Sequence, residues 1–530
     1  MRSLNEPGRS PVHGMQAMAC TSQTLSTQVA IDVLKAGGNA LDAAIAASAM
    51  QCVVEPGSTS IGGDCFVMYS KGGTGAPLAF NGSGRAPAAA TAAAIKQSGA
   101  TSLERDSAHS VIVPGAVDAW IQLHRDHGSM PFAELLAPAI EAARTGFPIA
   151  SRNHYDFSAA RDFLLTTNRS KDIYLHNGEA PAVGSVLKLP QLANVLEAIA
   201  KEGSDVFYRG EYATEMVEEL QSLGGLHTLD DFARVSGNYV EPISANYRDQ
   251  TVYQCPPNGQ GVIALLMLNM MSRIKKDPGG PLTPERIHTE LEACRLAYGA
   301  RAGFLADPDL VDVPVEKLLS EEYASKLCSL IDPTAAIEGV PVTELPPHND
   351  TVYISVVDKD RNVCSFINTL YWAFGSGITT KSGITLTNRG MGFVLDESSP
   401  NCIAPNKRPL HTIIPAMTYR NGKVDLCFGV MGGEYQAMGH QQFLTRYLDY
   451  GCDIQQAMDL PRYMVNPRSG EIELEDGLDQ SIRNDLLARG HKIADGEFVI
   501  GGSQAIAIDW DNGVLTGGSD PRKDGCAMGY

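Results

Sequence analysis

The stretch from Pro347 to Asp358 constrains the fold of this chain more than any other part of its sequence. Pro346 and Pro347 exclude a helix and a central strand ahead of it, because proline has no backbone N–H to donate. The residues from Thr351 to Val357 are rich in β-branched and aromatic side chains, a composition typical of a strand. We therefore predict that Thr351 lies where an exposed loop enters a strand.

Thr351 gains catalytic potential if the chain is cut between Asp350 and Thr351. The new N-terminal threonine would carry a nucleophilic hydroxyl, and its own α-amine would serve as general base, a pairing suited to amide chemistry. This segment alone gives no sign of cleavage. Its simplest interpretation is that Thr351 only begins a strand, so the chemistry depends on what surrounds it.

A second predicted strand, Val363 to Thr369, follows a polar turn. With a three-residue loop, Asp358 faces Asn362, and counting back in antiparallel register puts Thr369 opposite Thr351. Directly opposed Cβ atoms are about 5 Å apart, so two threonine hydroxyls would meet. A two-residue loop would shift this alignment by one position. An ordinary cross-strand threonine pair is the alternative interpretation.

Another candidate for amide chemistry is Gly432-Gly433, which follows the predicted strand Val424–Phe428. Glycines let the backbone approach a ligand closely, and their N–H groups could stabilise the oxyanion formed when an amide is attacked. A simple turn from strand to helix is an equally good interpretation. The motifs G-x-S-x-G of serine hydrolases, H-E-x-x-H of zinc proteases and the P-loop are absent from the sequence.

The formal net charge of −19, from 61 acidic and 42 basic residues, argues against nucleic acid or an anionic membrane as a partner. It is compatible with a small anionic substrate, since a single arginine can dominate one pocket. The sequence has no dinucleotide-binding fingerprint and no cysteine pattern for zinc, so we predict neither a cofactor nor a metal.

Two features bear on the cellular compartment. The segment from Met1 to Cys20 has no apolar core long enough for a secretory signal. The eleven cysteines are scattered from Cys20 to Cys526 without a compact disulfide framework. We therefore predict a reducing, cytoplasmic location and no membrane span.

Short motifs along most of the chain form a consistent set. Around the candidate nucleophile they are Thr351, Ser355–Asp360, Asn362, Thr369-Leu370 and Phe374–Ile378; elsewhere they are Gly14-Met15, Leu34–Ala44, Val54–Pro56, Gly62–Phe66, Val113–Gly115, Gly224–Leu226, Asp307-Pro308, Asn406–Pro409, Gly432-Gly433, Ala457, Pro461-Arg462 and Ser519–Arg522. Each motif is weak alone. In this order and together, they resemble the gamma-glutamyltranspeptidase family of N-terminal-nucleophile hydrolases.

The resemblance implies a precursor that cuts itself before Thr351. The products would be a large chain (1–350) and a small chain (351–530) that stay together as one catalytic unit, with a homo-oligomer of that unit as an open alternative. The implied fold is α+β, an αββα sandwich with helical layers around two stacked antiparallel sheets. Thr351 would be the nucleophile, Thr369 would orient it, and Gly432-Gly433 would bind the oxyanion.

In the family, separate residues hold the α-ammonium and the α-carboxylate of a glutamyl group. The residues expected at the α-ammonium differ here from the family pattern. Tyr371 stands where members have asparagine. The run Arg389 to Gly392 replaces Gln-Met-Asp-Asp, so the acid that holds an α-ammonium becomes Gly392. The same change introduces Arg389, whose planar guanidinium suits a carboxylate. An internal salt bridge of Arg389 is an equally good interpretation.

The carboxylate side departs as well. His411-Thr412 replaces Ser-Ser, and the arginine expected for the α-carboxylate would stand at Ser83, with Arg85 two residues later. We predict that Arg389, Tyr371, His411, Thr412 and Arg85 line the substrate pocket. This set resembles the family's branch of acylases and oxamate amidohydrolases.

Three functions remain open from the sequence. The first is a self-processing threonine amidohydrolase acting on a small amide that bears a carboxylate, either oxamate-like or glutaryl-like. The second is a gamma-glutamyl hydrolase or transferase acting on glutathione. The third is a catalytically idle homologue that binds a small anion. Retention of Thr351, Thr369 and Gly432-Gly433 favours an enzyme.

Overall fold

The computed structural model of the protein describes residues 5, 8–339, 351–494, 496 and 499–530. Asp350, the residue predicted to precede the cleavage site, lies outside the described residues together with the rest of 340–350. Thr351 and the hairpin that it begins lie inside. The division of the chain at 350/351 therefore stays a prediction.

The strands come from both sides of the predicted cleavage site. Within the described residues they are β1 (Val12–Gly14), β2 (Met18–Thr21), β3 (Asp64–Ser70), β4 (Leu78–Gly82), β5 (Phe147–Pro148), β6 (Val186–Leu187), β7 (Asn238–Val240), β8 (Ile243–Tyr247), β9 (Gln250–Gln254), β10 (Val352–Val357), β11 (Val363–Thr369), β12 (Ala416–Arg420), β13 (Lys423–Met431), β14 (Tyr463–Val465), β15 (Ile472–Leu474), β16 (Gly502–Asp509), β17 (Val514–Ser519) and β18 (Cys526–Gly529). Most of them form two seven-stranded sheets, in the orders β1-β17-β16-β13-β12-β9-β8 and β18-β2-β10-β11-β3-β4-β7. Neighbouring strands in both sheets run antiparallel, as predicted.

Helices cover the outer faces of the sheets. They are α1 (Thr24–Lys35), α2 (Ala40–Val54), α3 (Ala92–Gln97), α4 (Ala116–His127), α5 (Phe132–Thr145), α6 (Ser151–Thr166), α7 (Ser170–Tyr174), α8 (Pro190–Glu202), α9 (Ser204–Tyr208), α10 (Glu211–Ser222), α11 (Leu229–Ala233), α12 (Gly261–Arg273), α13 (Pro284–Phe304), α14 (Val315–Leu318), α15 (Glu321–Cys328), α16 (Tyr435–Leu448), α17 (Ile454–Asp459) and α18 (Gln480–Ala488). None of the helices in the described part of the chain is long and apolar enough to cross a membrane.

Three layers of apolar side chains hold this arrangement together. Phe66, Tyr353 and Met417 belong to the layer between the two sheets. A second layer joins the sheet containing β10 to α1, α2 and α5, and a third joins the other sheet to α12, α13 and α16. The predicted αββα sandwich is confirmed.

The helix α2 backs the strand that Thr351 enters. All of its residues are buried, and most are small, so it packs closely on β10 and β11. Asn39 caps it, accepting hydrogen bonds from the backbone N–H groups of Leu41 and Asp42. The N–H of Ala40 donates to Asp358 Oδ2 at 2.9 Å, which ties the helix to the hairpin turn.

All eleven cysteines lie within the described ranges, and each is a free thiol. Seven are buried and four are half-buried.

Candidate active site

The two threonines of the hairpin meet. β10 and β11 pair in the predicted antiparallel register, and the N–H of Asp358 donates to the carbonyl of Asn362 at 3.1 Å across the predicted three-residue loop. The Oγ1 atoms of Thr351 and Thr369 lie 3.3 Å apart. Both side chains are wholly buried.

The backbone around Thr369 orients its hydroxyl. The N–H of Tyr371 donates to Thr369 Oγ1 at 3.0 Å. This bond fixes one acceptor site of the Thr369 oxygen, which leaves its proton and a second lone pair for the contact with Thr351. Tyr371 has a φ of 82°, a strained value for a non-glycine residue and one of a kind that clusters at active sites.

Two glycines bring the neighbouring strand β3 close to the hairpin. A Cβ at Gly63 would lie 2.1 Å from the Thr369 carbonyl oxygen, and one at Gly62 would lie 2.3 Å from that of Thr385. The two glycines therefore permit a close approach between backbone segments. It puts Asp64, the first residue of β3, directly opposite Thr369.

Arg389 lies wholly buried at the start of the short 3-10 helix Arg389–Gly392. Its Nη1 donates to Thr412 Oγ1 at 3.0 Å, and its guanidinium carbon lies 3.7 Å from the ring centroid of Tyr371. Nε is 3.9 Å from Asp64 Oδ2, too far for a hydrogen bond. Within the described residues, neither Nε nor Nη2 has a hydrogen-bond acceptor. These two atoms form the edge that can grip a carboxylate bidentately.

The charge of Arg389 survives its burial. Loss of solvent lowers the pKa of the guanidinium to about 10, while the negative charge of Asp64 acts in the opposite direction. A pKa near 10 keeps the group cationic at neutral pH. Arg389 therefore carries a buried positive charge within ion-pair distance of Asp64, at 3.9 Å, and two of its donors lack an acceptor among the described residues.

Asp64 and His411 form a pair behind Arg389. Asp64 Oδ1 accepts from the N–H of Gly84 at 2.9 Å, and Oδ2 accepts from His411 Nε2 at 3.0 Å. His411 Nδ1 accepts from the N–H of Ile413 at 3.3 Å, which assigns the proton to Nε2. Burial, followed by the charge of Arg389, lowers the pKa of His411 to about 4, so the ring is neutral at pH 7.

The Gly432-Gly433 turn joins β13 to α16. Its φ angles of 116° and 51° lie in the left-handed region that favours glycine, and a Cβ at Gly432 would lie 2.7 Å from Gly501 Cα. The Gly432 carbonyl accepts from Tyr435 N at 2.9 Å. No described residue accepts a hydrogen bond from the N–H of either glycine. Paired N–H groups at a helix start are suited to stabilising an anion.

A buried ion pair adjoins this turn. Arg301 Nη1 lies 2.5 Å from Glu434 Oε2, and neither side chain is exposed. The hydroxyl of Tyr298 donates to the Glu434 carbonyl. Arg301, Glu434 and Asp64 were not predicted from the sequence as residues of the site. The available signals were that Glu434 directly follows one glycine pair and Asp64 directly follows another.

Contacts link most of the predicted residues into one site. Thr351 contacts Thr369, and Thr369 accepts a hydrogen bond from the N–H of Tyr371. The ring of Tyr371 covers the guanidinium of Arg389. Arg389 in turn donates to Thr412. The Gly-Gly turn joins this chain of contacts through the side chain of Gln260, which donates to the carbonyls of Thr412 and Gly433. The site thus unites a candidate nucleophile, candidate oxyanion donors and a cation.

Arg85 does not belong to this network. Its Nη2 lies 2.7 Å from Asp309 Oδ2 and its Nη1 3.4 Å from Asp307 Oδ2. A third of its side chain is exposed. It also donates to the Asn406 carbonyl at 3.0 Å, and both residues line a small cavity of about 50 Å³.

Comparisons with known proteins agree with this architecture. The gamma-glutamyltranspeptidase family model matches residues 26–530. The chain is 36% identical over 526 residues to the glutathione hydrolase-like YwrD proenzyme of Bacillus subtilis, covering 98% of this chain and 99% of that protein. It is 31% identical over 532 residues to the oxamate amidohydrolase proenzyme of Klebsiella pneumoniae, covering 98% of each.

A solved structure extends the likeness to the fold. The crystal structure of cephalosporin acylase from Bacillus halodurans matches with a TM-score of 0.92 and 36% identity, covering 100% of this chain and 99% of that one. Family model, relatives and fold all span nearly the whole chain. The chain therefore belongs to the gamma-glutamyltranspeptidase family and is a hydrolase of the N-terminal-nucleophile type.

Proposed function

We propose that this protein is a self-processing threonine amidohydrolase that cleaves the amide bond of a small, carboxylate-bearing substrate through an acyl-enzyme on Thr351. The observation that carries the substrate class is the guanidinium edge of Arg389. It is buried and charged, and within the described residues it has no acceptor for Nε or Nη2. A carboxylate would supply two acceptors in the geometry that this edge requires.

Maturation would begin with cleavage between Asp350 and Thr351. The freed α-amine of Thr351 would then take the proton from its own Oγ1 as that oxygen attacks the substrate carbonyl. The relatives named as proenzymes in Bacillus subtilis and Klebsiella pneumoniae support such processing. The two products would stay together, because β8 and β9 share a sheet with β12 and β13.

The hydrolytic cycle would follow from the surrounding groups. Attack converts the amide carbonyl oxygen into an oxyanion, which the N–H groups of Gly432 and Gly433 would stabilise. The leaving amine departs with the proton held by the Thr351 amine, and an ester forms on Thr351 Oγ1. Water, deprotonated by the same amine, would cleave this ester and release the acid.

The acids of the site argue against an α-amino group on the substrate. Both oxygens of Asp64 already accept hydrogen bonds, from Gly84 and His411. Glu434 is paired with Arg301 at 2.5 Å. At the family position for an ammonium-binding acid stands Gly392. A glutamyl ammonium would therefore enter beside the cationic Arg389, with Asp64 and Glu434 already engaged by His411 and Arg301 and no acid at the family position.

A compact substrate fits this site better than a long one. Tyr371 fills a position where family members have asparagine, and its ring centroid lies 3.7 Å from the guanidinium carbon of Arg389. The carboxylate would thus bind close to the nucleophile. Oxamate, the substrate in the name of the Klebsiella pneumoniae relative, has this shape, and we rank it above a glutaryl amide.

One observation favours a second candidate function. The relative from Bacillus subtilis at 36% identity is named as glutathione hydrolase-like. A gamma-glutamyl hydrolase would use the same nucleophile and oxyanion donors. It would need a different arrangement around the substrate ammonium, since Gly392 has no side chain to offer.

The test is a rate comparison on the processed wild-type enzyme. The substrates are oxamate, malonamate, succinamate and glutaramate, which differ by one methylene each, and a gamma-glutamyl anilide. We expect kcat/KM to be highest for oxamate and lowest for the anilide. Fast turnover of the gamma-glutamyl anilide, with slow turnover of all four carboxylate amides, would replace this proposal with the second candidate. Processed protein that turns over none of the five would point to an idle, anion-binding homologue.

A further inference from the structure

Gln260 connects the two ends of the candidate site. It precedes α12 and is wholly buried. Its Nε2 donates to the Thr412 carbonyl at 2.9 Å and to the Gly433 carbonyl at 3.2 Å. Its Oε1 accepts from Arg301 Nη1 at 2.6 Å. The side-chain amide therefore uses both its donor and its acceptor atoms.

Each partner of Gln260 controls one functional group. The hydroxyl of Thr412 accepts from Arg389, so the Thr412 backbone fixes one anchor of that guanidinium. The Gly433 carbonyl belongs to the turn whose N–H groups face no described acceptor. Glycine has the widest backbone freedom of any residue. The Gly433 carbonyl shares its peptide unit with the N–H of Glu434, so its bond to Gln260 anchors the end of the turn that directly follows the two glycine N–H groups.

The backbone of Gln260 adds to the same link. Its N–H donates to the His411 carbonyl at 2.9 Å, and Gly259 pairs with His411 in an isolated bridge. Arg301, bound to Gln260 Oε1, is fixed in turn by Glu434 at 2.5 Å. Gln260 thus lies in a closed set of contacts between the segment carrying His411 and the Gly-Gly turn.

We propose that Gln260 is a positioning residue that sets the separation between the oxyanion donors and Arg389. This inference rests on the proposed function, because it assigns Arg389 to the substrate carboxylate. A fixed separation selects substrates by the number of atoms between carboxylate and scissile amide. Gln260 then determines acyl length without contacting the substrate.

Two variants separate the donor from the acceptor of this side chain. Gln260→Met keeps the approximate volume and removes all three hydrogen bonds. Gln260→Glu keeps an acceptor for Arg301 and removes both donations, so it serves where the first variant fails to fold or process. The matched control is Gln455→Met, because Gln455 is also buried and donates to the Ser519 carbonyl at 2.9 Å and to Asp459 at 2.8 Å, far along the chain from this network.

The experiment measures kcat and KM for the series from oxamate to glutaramate, with melting temperature as a check on folding. We expect both Gln260 variants to lower kcat for the preferred substrate by about 100-fold, as for a misplacement of about 1 Å, with KM changed less than kcat. We also expect the ranking by chain length to flatten. Gln455→Met should lower the melting temperature but keep the ranking.

Two results would overturn this role. One is a Gln260→Glu enzyme with wild-type kcat and wild-type length ranking. The other is the same loss in Gln455→Met, which would make it a general effect of removing a buried amide. If the wild-type enzyme instead prefers the gamma-glutamyl anilide, the proposed substrate class fails, and the positioning role is judged on kcat for that anilide.

Discussion

The hairpin that carries Thr351 and the pocket around Arg389 lie side by side but are built differently. The hairpin takes both threonines from two strands joined by a short turn, and backbone hydrogen bonds set their 3.3 Å contact. The pocket collects Asp64, Arg389 and His411 from three distant segments and holds them by charge and side-chain hydrogen bonds. We expect the hairpin to determine whether an amide is cut and the pocket to determine which one.

The largest effect is expected at the hairpin. Thr351→Ala should abolish both processing and hydrolysis of every amide, because it removes the oxygen that we propose as the attacking atom in each reaction. Thr351→Ser keeps a hydroxyl and is the control. Intact mass and substrate turnover are the measurements. Normal turnover in Thr351→Ala would remove the hairpin from the mechanism altogether.

The next largest effect is expected in the pocket, and only for some substrates. Arg389→Ala should lower kcat/KM for oxamate by roughly 100-fold, since two charge-assisted hydrogen bonds together contribute about 3 kcal/mol or more. Turnover of a gamma-glutamyl anilide should not fall with it. Arg85→Ala is the control, because Arg85 pairs with Asp309 outside the network. Equal losses in the two variants would show that Arg389 has no special role.

A smaller effect is expected at the second threonine. Thr369→Ala removes one neutral hydrogen bond to the nucleophile, which costs about 1 kcal/mol, or about fivefold in kcat, and more if the bond strengthens in the transition state. Thr369→Ser restores the hydroxyl and should restore the rate. A complete loss of turnover in folded, processed Thr369→Ala would instead make Thr369 indispensable to the chemistry.

The smallest effect on turnover is expected from His411. Its pKa of about 4 keeps it neutral, so it should add no step to the pH–rate profile between about pH 5 and 8. Stability should respond, because the unfolded chain, with a histidine pKa near 6.5, binds more protons than the folded one at these pH values.

The direction in which stability changes with pH follows from the lowered pKa of His411. The free energy of unfolding should fall as pH is lowered from about 6.5 towards 4, with His411 contributing roughly 2 kcal/mol between about pH 7 and pH 5. Denaturant unfolding of wild type and His411→Gln at both pH values measures this contribution as the difference between the two proteins. An unchanged difference would mean that the pKa of His411 is the same in the folded and unfolded chains.

The contrast between hairpin and pocket also explains what the sequence could reveal. The Thr351–Thr369 contact followed from turn length and strand periodicity, both local properties, and the register is confirmed. The sandwich followed from the family resemblance. The pocket partners Asp64 and Glu434 were not predicted. Asp64 contacts His411, which lies hundreds of positions away in the sequence. Glu434 contacts Arg301, which no local pattern marks.

Arg85 and Gln260 show the limit of prediction from spacing. Arg85 was predicted to line the site but lies outside its network, whereas Gln260 was not predicted and belongs to it. Arg85 was predicted because it stands two residues after Ser83, the position where family members have an arginine, but its guanidinium turns to Asp307 and Asp309. Gln260 lies in a proline- and glycine-rich turn that gave no signal beyond the turn itself. Its role emerges only from hydrogen bonds to Thr412, Gly433 and Arg301. Spacing in sequence predicts contacts within an element, not across the fold.

Self-processing before Thr351 is tested most directly by the intact mass and N-terminal sequence of freshly purified wild-type protein, taken together with its amidase activity. We predict two associated chains, one of which begins Thr351-Val352-Tyr353. We also predict that activity rises as this chain appears. A fully active protein that remains one uncut chain of 530 residues would contradict it.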